Sequence, residues 1–285
     1  MKILLSYDFL VVLAGVLLLA IVSSIVGCFS VYKGQSLVGD AIGHATYPGV
    51  CLAFILTQSR NPFFLLIGVF ISGILAYFTI NLITTNKRIT MDAALAIVLS
   101  GFFGLGLMLK TYIQGSEILK KVTSAGLKNY VFGLAAFIRK EDVYIILGVS
   151  IVILLLLVLF YRQIKMVIFD QDYAFTSGVN TRLVNLVLLV MMVLIITIGL
   201  KTIGAILISS FLTLPCLLAN QHSKKLSHVL FIASTSSALS TFIGVYLSAT
   251  NSGLSTGPTI IVVLAFMCLL SMVFGKYGLR GRKHA

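Results

Sequence analysis

Charge is scarce in this chain: 10% of its 285 residues are Asp, Glu, Lys or Arg, against 59% hydrophobic, and only 8 are acidic. A soluble globular domain carries charge on about a quarter of its residues, so this composition excludes one. Mean hydropathy is +1.09. The sequence has no GxxxxGK[ST], hence no phosphate-cradling loop of its own, and no HExxH to support a zinc protease. No nucleophile and base are visibly paired, which leaves an intramembrane enzyme a distant option. Beta-barrel alternation is missing too, so helices make the crossings. Cysteine is limited to Cys28, Cys51, Cys216 and Cys268, all within apolar segments and without paired spacing, so they read as small buried residues rather than disulfides or a metal cluster. Neither internal repeats nor low-complexity tracts occur, and residues 1–285 are expected to form one membrane domain.

What the chain has in abundance is apolar runs. LGVSIVILLLLVLF and LVNLVLLVMMVLIITIGL approach or reach the roughly 20 residues that cross a hydrocarbon core. Such runs, separated by breakers, predict an all-α polytopic bundle of eight or nine transmembrane helices in contact with lipid, with spans near 8–32, 36–57, 62–84, 91–110, 142–161, 183–200, 202–220, 227–248 and 258–275. Nine is preferred; eight results if the pair around 199–202 is one bent element. The IVGC at 25–28 resembles a lipoprotein lipid-attachment box, but more membrane sequence follows it, and the first segment reads as a retained span.

The net charge of +13 comes from 21 Lys and Arg that lie mostly between the apolar runs. That is the distribution of membrane loops, and no nucleic-acid partner is expected. With nine spans the termini fall on opposite sides, and the basic tail GKYGLRGRKHA places the C-terminus in the cytoplasm by the positive-inside rule. One loop, 111–141, then lies outside despite Lys120, Lys121, Lys128, Arg139 and Lys140. Long loops obey the rule poorly, and a basic outer loop suits either solvent or an acidic partner.

Within the second predicted span, GDAIGHATYP holds Asp40 and His44 at i, i+4, which stacks both side chains on one helix face. An aspartate in a membrane helix costs about 2.5–3.5 kcal/mol, which calls for a polar path or an obligatory partner. Gly39 and Gly43 form a GxxxG pair that permits close approach of another helix, including the same helix of a second copy. Pro48, four residues after His44, cannot donate to the His44 carbonyl and is expected to kink the helix. Carboxylate, imidazole and a free carbonyl make an O/N set for borderline divalent ions such as Mn²⁺ and Zn²⁺. One helix supplies too few ligands, whereas two copies about a twofold axis bring two carboxylates and two imidazoles. Spacing alone leaves a second reading equally open, in which Asp40 and His44 pair with each other or with hydroxyls to hold the bundle together. His222, His228 and His284 read as solvated loop or tail residues, and Asp92 as a helix N-terminal charge following Thr90.

Another break in the apolar pattern is IFDQDYAFTSGVNTR, 168–182. It carries Asp170 and Asp172 ahead of a short helix-like run ending at Gly178, and reads as an interfacial helix or an ordinary connecting loop. If transport here runs on ATP, another polypeptide must hydrolyse it.

SLVGDAIGHATYPGVCLAF resembles the second-span motif of the permease subunits of bacterial manganese/zinc/iron ABC importers, in which SL-x-GDA-xx-HA-xx-PG recurs. The likeness continues through DAALAIVLSGFFGLGLML, LKNYVFG, FDQDYAFTSGV, GAILISSFLTLPCLLA and NSGLSTGPTIIVV, colinear over nearly the whole chain. The resemblance implies a dimer of permease copies in the bacterial plasma membrane with the path between them, two cytoplasmic ATP-binding-cassette ATPases, and a metal-binding lipoprotein docking outside. It implies that Asp40 and His44 coordinate the transported Mn²⁺ or Zn²⁺, with no permanently bound cofactor. It further implies that Phe169, Asp170, Asp172, Ala174 and Gly178 belong to the coupling helix that fits the ATPase. Tyr47, Cys216 and Leu217 depart from the small or aliphatic residues common at their positions. Two alternatives are a permease for a metal chelate of siderophore or cobalamin type, which needs no ligands on its path, and a secondary transporter. The latter lacks further intramembrane acids for a proton relay.

Overall fold

Apolar segments that cannot offer their backbone to water must satisfy it internally, and helices do so within one segment. The structure is a computed structural model that describes residues 7–59, 62–85, 88–116, 138, 140–251 and 253–278. Among the described residues there is no strand, and the helices in chain order are α1 (Tyr7–Tyr32), α2 (Val38–Ala45), α3 (Tyr47–Thr57), α4 (Pro62–Thr84), α5 (Met91–Gly115), α6 (Lys140–Phe169), α7 (Gln171–Thr176), α8 (Thr181–Thr202), α9 (Ala205–Asn220), α10 (Leu226–Thr250) and α11 (Thr256–Phe274). The fold is an all-α, polytopic membrane bundle. Of the basic loop 111–141, residues 117–137 and 139 lie outside the described residues, as do 1–6 and 279–285.

Seven of these helices are long and apolar enough to cross a membrane: α1, α4, α5, α6, α8, α10 and α11. Two further segments cross in another way. The expected second span is present as α2 and α3, separated at Thr46. Helix α9 has only 16 residues. Its start follows α8, whose Lys201 Nζ meets Asp142 Oδ1 at the beginning of α6 at 2.6 Å, and its last residue, Asn220, accepts a hydrogen bond from Tyr32 at the end of α1 (2.6 Å). It therefore traverses the bundle, and the segments 183–200 and 202–220 are two elements rather than one. A tight turn at Gly204 (φ 88°) reverses the chain between them.

The contacts sort the bundle into two ends. At one, Lys140 stands 4.6 Å over the Tyr7 ring and Lys201 pairs with Asp142. At the other, Tyr32 packs on Phe169, the Tyr277 N–H donates to the Gln221 carbonyl (2.9 Å), and Lys224 lies over Tyr277. Of these seven helices α8 is the most enclosed and α1 follows, whereas α5, α6 and α11 are the most open. The outer helices present Val158, Leu159, Phe266 and Leu269 outward, a surface suited to lipid tails.

One boundary and one histidine differ from the expectation. Tyr161, Arg162, Gln163 and Lys165 lie inside α6, not in a loop, because the helix continues to bury Ile164 and Val167 against Phe29, Ala174, Val184 and Leu226. His222 is not simply solvated: its Nε2 is 2.9 Å from the Ser271 hydroxyl. Thr90 caps α5 by accepting from the Ala93 N–H (3.3 Å), with Asp92 in the first turn. Cys28 lies fully buried within α1, which continues to Tyr32, as a retained span requires.

Close helix approaches fix the packing. A Cβ at Gly27 would stand 2.1 Å from the Leu212 carbonyl oxygen, so α1 and α9 touch backbone to backbone. Gly49 and Gly68 do the same for α3 and α4, each Cβ position lying 2.1–2.3 Å from the other's carbonyl oxygen.

Candidate metal-ion site

Helix α2 is 8 residues long, with Asp40 in its first turn and His44 in its last. Val38, Gly39, Ala41, Ile42, Gly43 and Ala45 are buried against neighbouring helices. Asp40 and His44 are thus the part of α2 left open, with side chains 42% and 25% exposed. The glycines sit about 100° round the helix from this pair, on a packed side. Gly39 abuts Leu212 of α9, whose Cδ1 would lie 2.6 Å from a Cβ added at that glycine, and Gly43 faces Ala205, so this GxxxG pair seats α9 of the same chain.

The chain breaks at Thr46, two residues before Pro48. Pro48 has no N–H for the His44 carbonyl, and the neighbouring carbonyls are served by side chains instead. The Thr46 hydroxyl donates to the Gly43 carbonyl and the Ser72 hydroxyl, from α4, to the Ala45 carbonyl, both at 2.7 Å. Ser72 and Phe103 each lie near the midpoint of their helices, which puts His44 near mid-depth.

His44 Nε2 and Asp40 Oδ1 are 3.5 Å apart. That exceeds the roughly 2.7–2.9 Å of a charge-assisted hydrogen bond. It fits two ligands of one ion: bonds of about 2.1 Å to each atom would meet at an angle of about 110°. Among the described residues no group of three or more His, Cys, Asp or Glu side chains converges, so the chain offers this pair and no complete coordination shell. The His44 ring also meets Phe103 of α5 edge-on, with centroids 5.3 Å apart and planes at 80°. Neither Phe103 nor Ser72 stood out in the sequence, where an aromatic ring or a hydroxyl in a membrane helix is ordinary.

A groove of about 410 Å³ between α3, α4 and α5 begins at Pro48 and is lined by Leu52, Leu56, Phe64, Ile67 and Leu105. Among the described residues its lining holds no His, Cys, Asp or Glu. All four cysteines are buried and unbridged.

At the end of the bundle where α1 and α6 terminate, α7 is built as its sequence dictates. The Asp170 side chain caps it by accepting from the Tyr173 N–H at 2.9 Å. Gly178 ends it with φ 80°, which lets the Val179 N–H reach back to the Ala174 carbonyl (3.0 Å). Asp172 lies in the first turn, and buried Ala174 anchors the helix against Ile164 and Val184. Tyr173 and Phe175 of α7 are exposed, as is Phe169 at the end of α6.

The sequence model of the ABC 3 transport family matches residues 6–275. The chain belongs to that family. Among its relatives, the manganese transport system membrane protein MntC of Bacillus subtilis is 38% identical over 92% of this chain, which spans 60% of that protein's length. The zinc transport system membrane protein TroC of Treponema pallidum is 34% identical over 96% of this chain and 91% of its own. The solved structure of PsaBC from Streptococcus pneumoniae in complex with Fab superposes with a TM-score of 0.83 at 28% identity, covering 99% of this chain and 96% of that one. An ABC 3 family member is a transport component, which agrees with the absence of an ATP-binding loop.

Proposed function

We propose that this chain is the membrane permease subunit of an ATP-driven importer of divalent transition-metal ions, manganese first and zinc next, acting as one membrane domain. The observation that carries the reading is the Asp40–His44 pair, mid-depth in an apolar bundle and spaced 3.5 Å apart on the only open face of α2. Relatives named for manganese and zinc transport support the cargo. The O/N ligand set accepts both ions.

Two ligands do not hold a dehydrated ion. A second copy about a twofold axis supplies two more, and four side chains with two carboxylates balance the +2 charge. The ion then passes between the copies. ATP is hydrolysed by separate cytoplasmic ATP-binding-cassette subunits, which receive α7 through Phe169, Asp170, Asp172 and the outward rings of Tyr173 and Phe175. An extracellular metal-binding lipoprotein delivers the ion from the other side of the bacterial plasma membrane.

Uptake of radiolabelled manganese and zinc by cells carrying the full transporter tests the site. Asp40→Asn and His44→Ala are each expected to reduce uptake to background at unchanged membrane abundance. Unaltered uptake of the bare ions in both variants rules the site out, whereas uptake of a metal chelate but not of the bare ions by the unmodified transporter favours a chelate as cargo, which needs no ligands on its path.

A further inference from the structure

The His44 imidazole is held from one side only by polar chemistry. Its Nε2 faces Asp40, and among the described residues no hydrogen bond orients its other nitrogen. Metal-binding histidines are ordinarily fixed by such a second hydrogen bond, because the ring torsion is broad and an unrestrained imidazole turns its nitrogen away from the ion. The backbone gives little help here, since α2 ends one residue after His44 and the chain breaks at Thr46.

What does meet the ring is α5. Phe103 lies edge-on to His44 and is itself braced by Tyr47, with centroids 5.9 Å apart and planes at 36°. One turn further along α5, Gly106 brings the two backbones together: a Cβ there would stand 2.6 Å from the Tyr47 ring and 3.0 Å from the Pro48 nitrogen. The Cys51 thiol donates to the Gly106 carbonyl at 3.7 Å. His44 against Phe103, Tyr47 and Pro48 against Gly106, and Cys51 against Gly106 form one parallel register between α5 and the broken α2–α3 pair. That register sets the α5 backbone beside His44, with the Phe103 ring between His44 and Tyr47.

We propose that Phe103 is the positioning residue of the ion-holding pair: its ring confines the His44 imidazole to the orientation in which Nε2 and Asp40 Oδ1 meet the same divalent cation. Packing thus replaces the missing second hydrogen bond. The inference rests on the reading that Asp40 and His44 hold the transported ion. Phe103 does not touch the ion.

The test compares KM and Vmax for manganese uptake in cells carrying the whole transporter, at matched membrane abundance. Phe103→Leu keeps an apolar side chain but removes the ring, and is expected to raise KM about 10-fold or more, the usual penalty for losing a ligand's support, with Vmax within about twofold. Phe103→Tyr keeps the ring and is expected to retain the wild-type KM. A purely structural role would lower abundance and Vmax while leaving KM alone, and that result overturns the proposal, as does an equal rise in KM for both variants. If Phe103→Leu inserts poorly, Phe103→Met is measured by the same criterion. His44→Ala run alongside separates the two levels: uptake lost in His44→Ala with KM unmoved in Phe103→Leu refutes the positioning role alone, whereas normal uptake in His44→Ala refutes the site and the positioning role together.

Discussion

Glycine 49 and glycine 68 show how much a single hydrogen in place of a methyl decides in this bundle. Each lies where α3 and α4 touch through their backbones, and a Cβ at Gly49 would meet the Gly68 carbonyl oxygen at 2.1 Å and the Ser72 side chain at 2.5 Å. Backbone cannot rotate aside as a side chain does, so Gly49→Val is expected to cost at least the roughly 1–3 kcal/mol of ordinary overpacking. A lowered thermal midpoint in detergent, read against Gly148→Ala, checks this; Gly148 has nothing within 4 Å of its Cβ position, and its substitution is expected to be neutral or stabilising. The displaced Ser72 hydroxyl also serves the Ala45 carbonyl, so the damage reaches the break above His44. Asp40 and His44 were legible in the sequence because ionisable groups in an apolar run carry a cost that demands a reason. Phe103, Ser72 and Leu212 were not, since their importance comes from the helix they touch and nothing local marks it. The same holds for Gly39 and Gly43, whose spacing announced a close approach but not that α9 of the same chain makes it.

Among the elements, α7 translates a local signature into a surface. Its cap at Asp170 and its left-handed stop at Gly178 hold a six-residue helix that would not persist alone. Gly178→Pro forces φ to about −65° and removes the N–H that reaches the Phe175 carbonyl. Loss of ATPase co-purification with the permease still inserted is the expected result, and Asp170→Ala, which forfeits a cap of about 1 kcal/mol, is expected to weaken it less. An undiminished complex in Gly178→Pro would remove α7 from the ATPase contact. A second check concerns α1 and α9, which touch at Gly27 and Leu212. One residue and one turn further on, the buried Cys28 and Cys216 share an apolar cluster with Ala219, Val229 and Ala233, so Cys216→Ser, which places a hydroxyl there, is expected to lower the thermal midpoint in detergent, while Cys268→Ser, outside that cluster, leaves the α1–α9 contact intact. Most spans were readable from hydropathy because lipid imposes length and apolarity on each separately. Pro48 announced a kink in the second span, but its division into two helices at Thr46 and the extension of α6 through Arg162 and Lys165 were not readable, because the Ser72 hydroxyl of another helix serves the Ala45 carbonyl at the first and burial of Ile164 and Val167 carries the second.

Across the whole molecule, the described residues at the two ends differ in charge in a way that predicts its orientation. Arg162, Lys165, Arg182, Lys224, Lys225 and Lys276 gather at the end that carries α7, whereas at the opposite end Lys201 is paired with Asp142 and Lys140 is followed by Glu141. The positive-inside rule counts basic residues in short loops near span ends, and on that count the α7 end is expected to face the cytoplasm. This is also the side on which an ATPase would have to wait, so the expected orientation agrees with the proposed coupling contact. Buried native cysteines make the matter directly measurable, because an impermeant maleimide finds little to label in the unmodified chain. Lys225→Cys, exposed beside α10, is expected to react only after the cells are permeabilised, and Ser255→Cys, exposed at the start of α11, in intact cells. Labelling in the reverse pattern would turn the bundle over, place α7 outside, and leave the proposed ATPase contact without a partner.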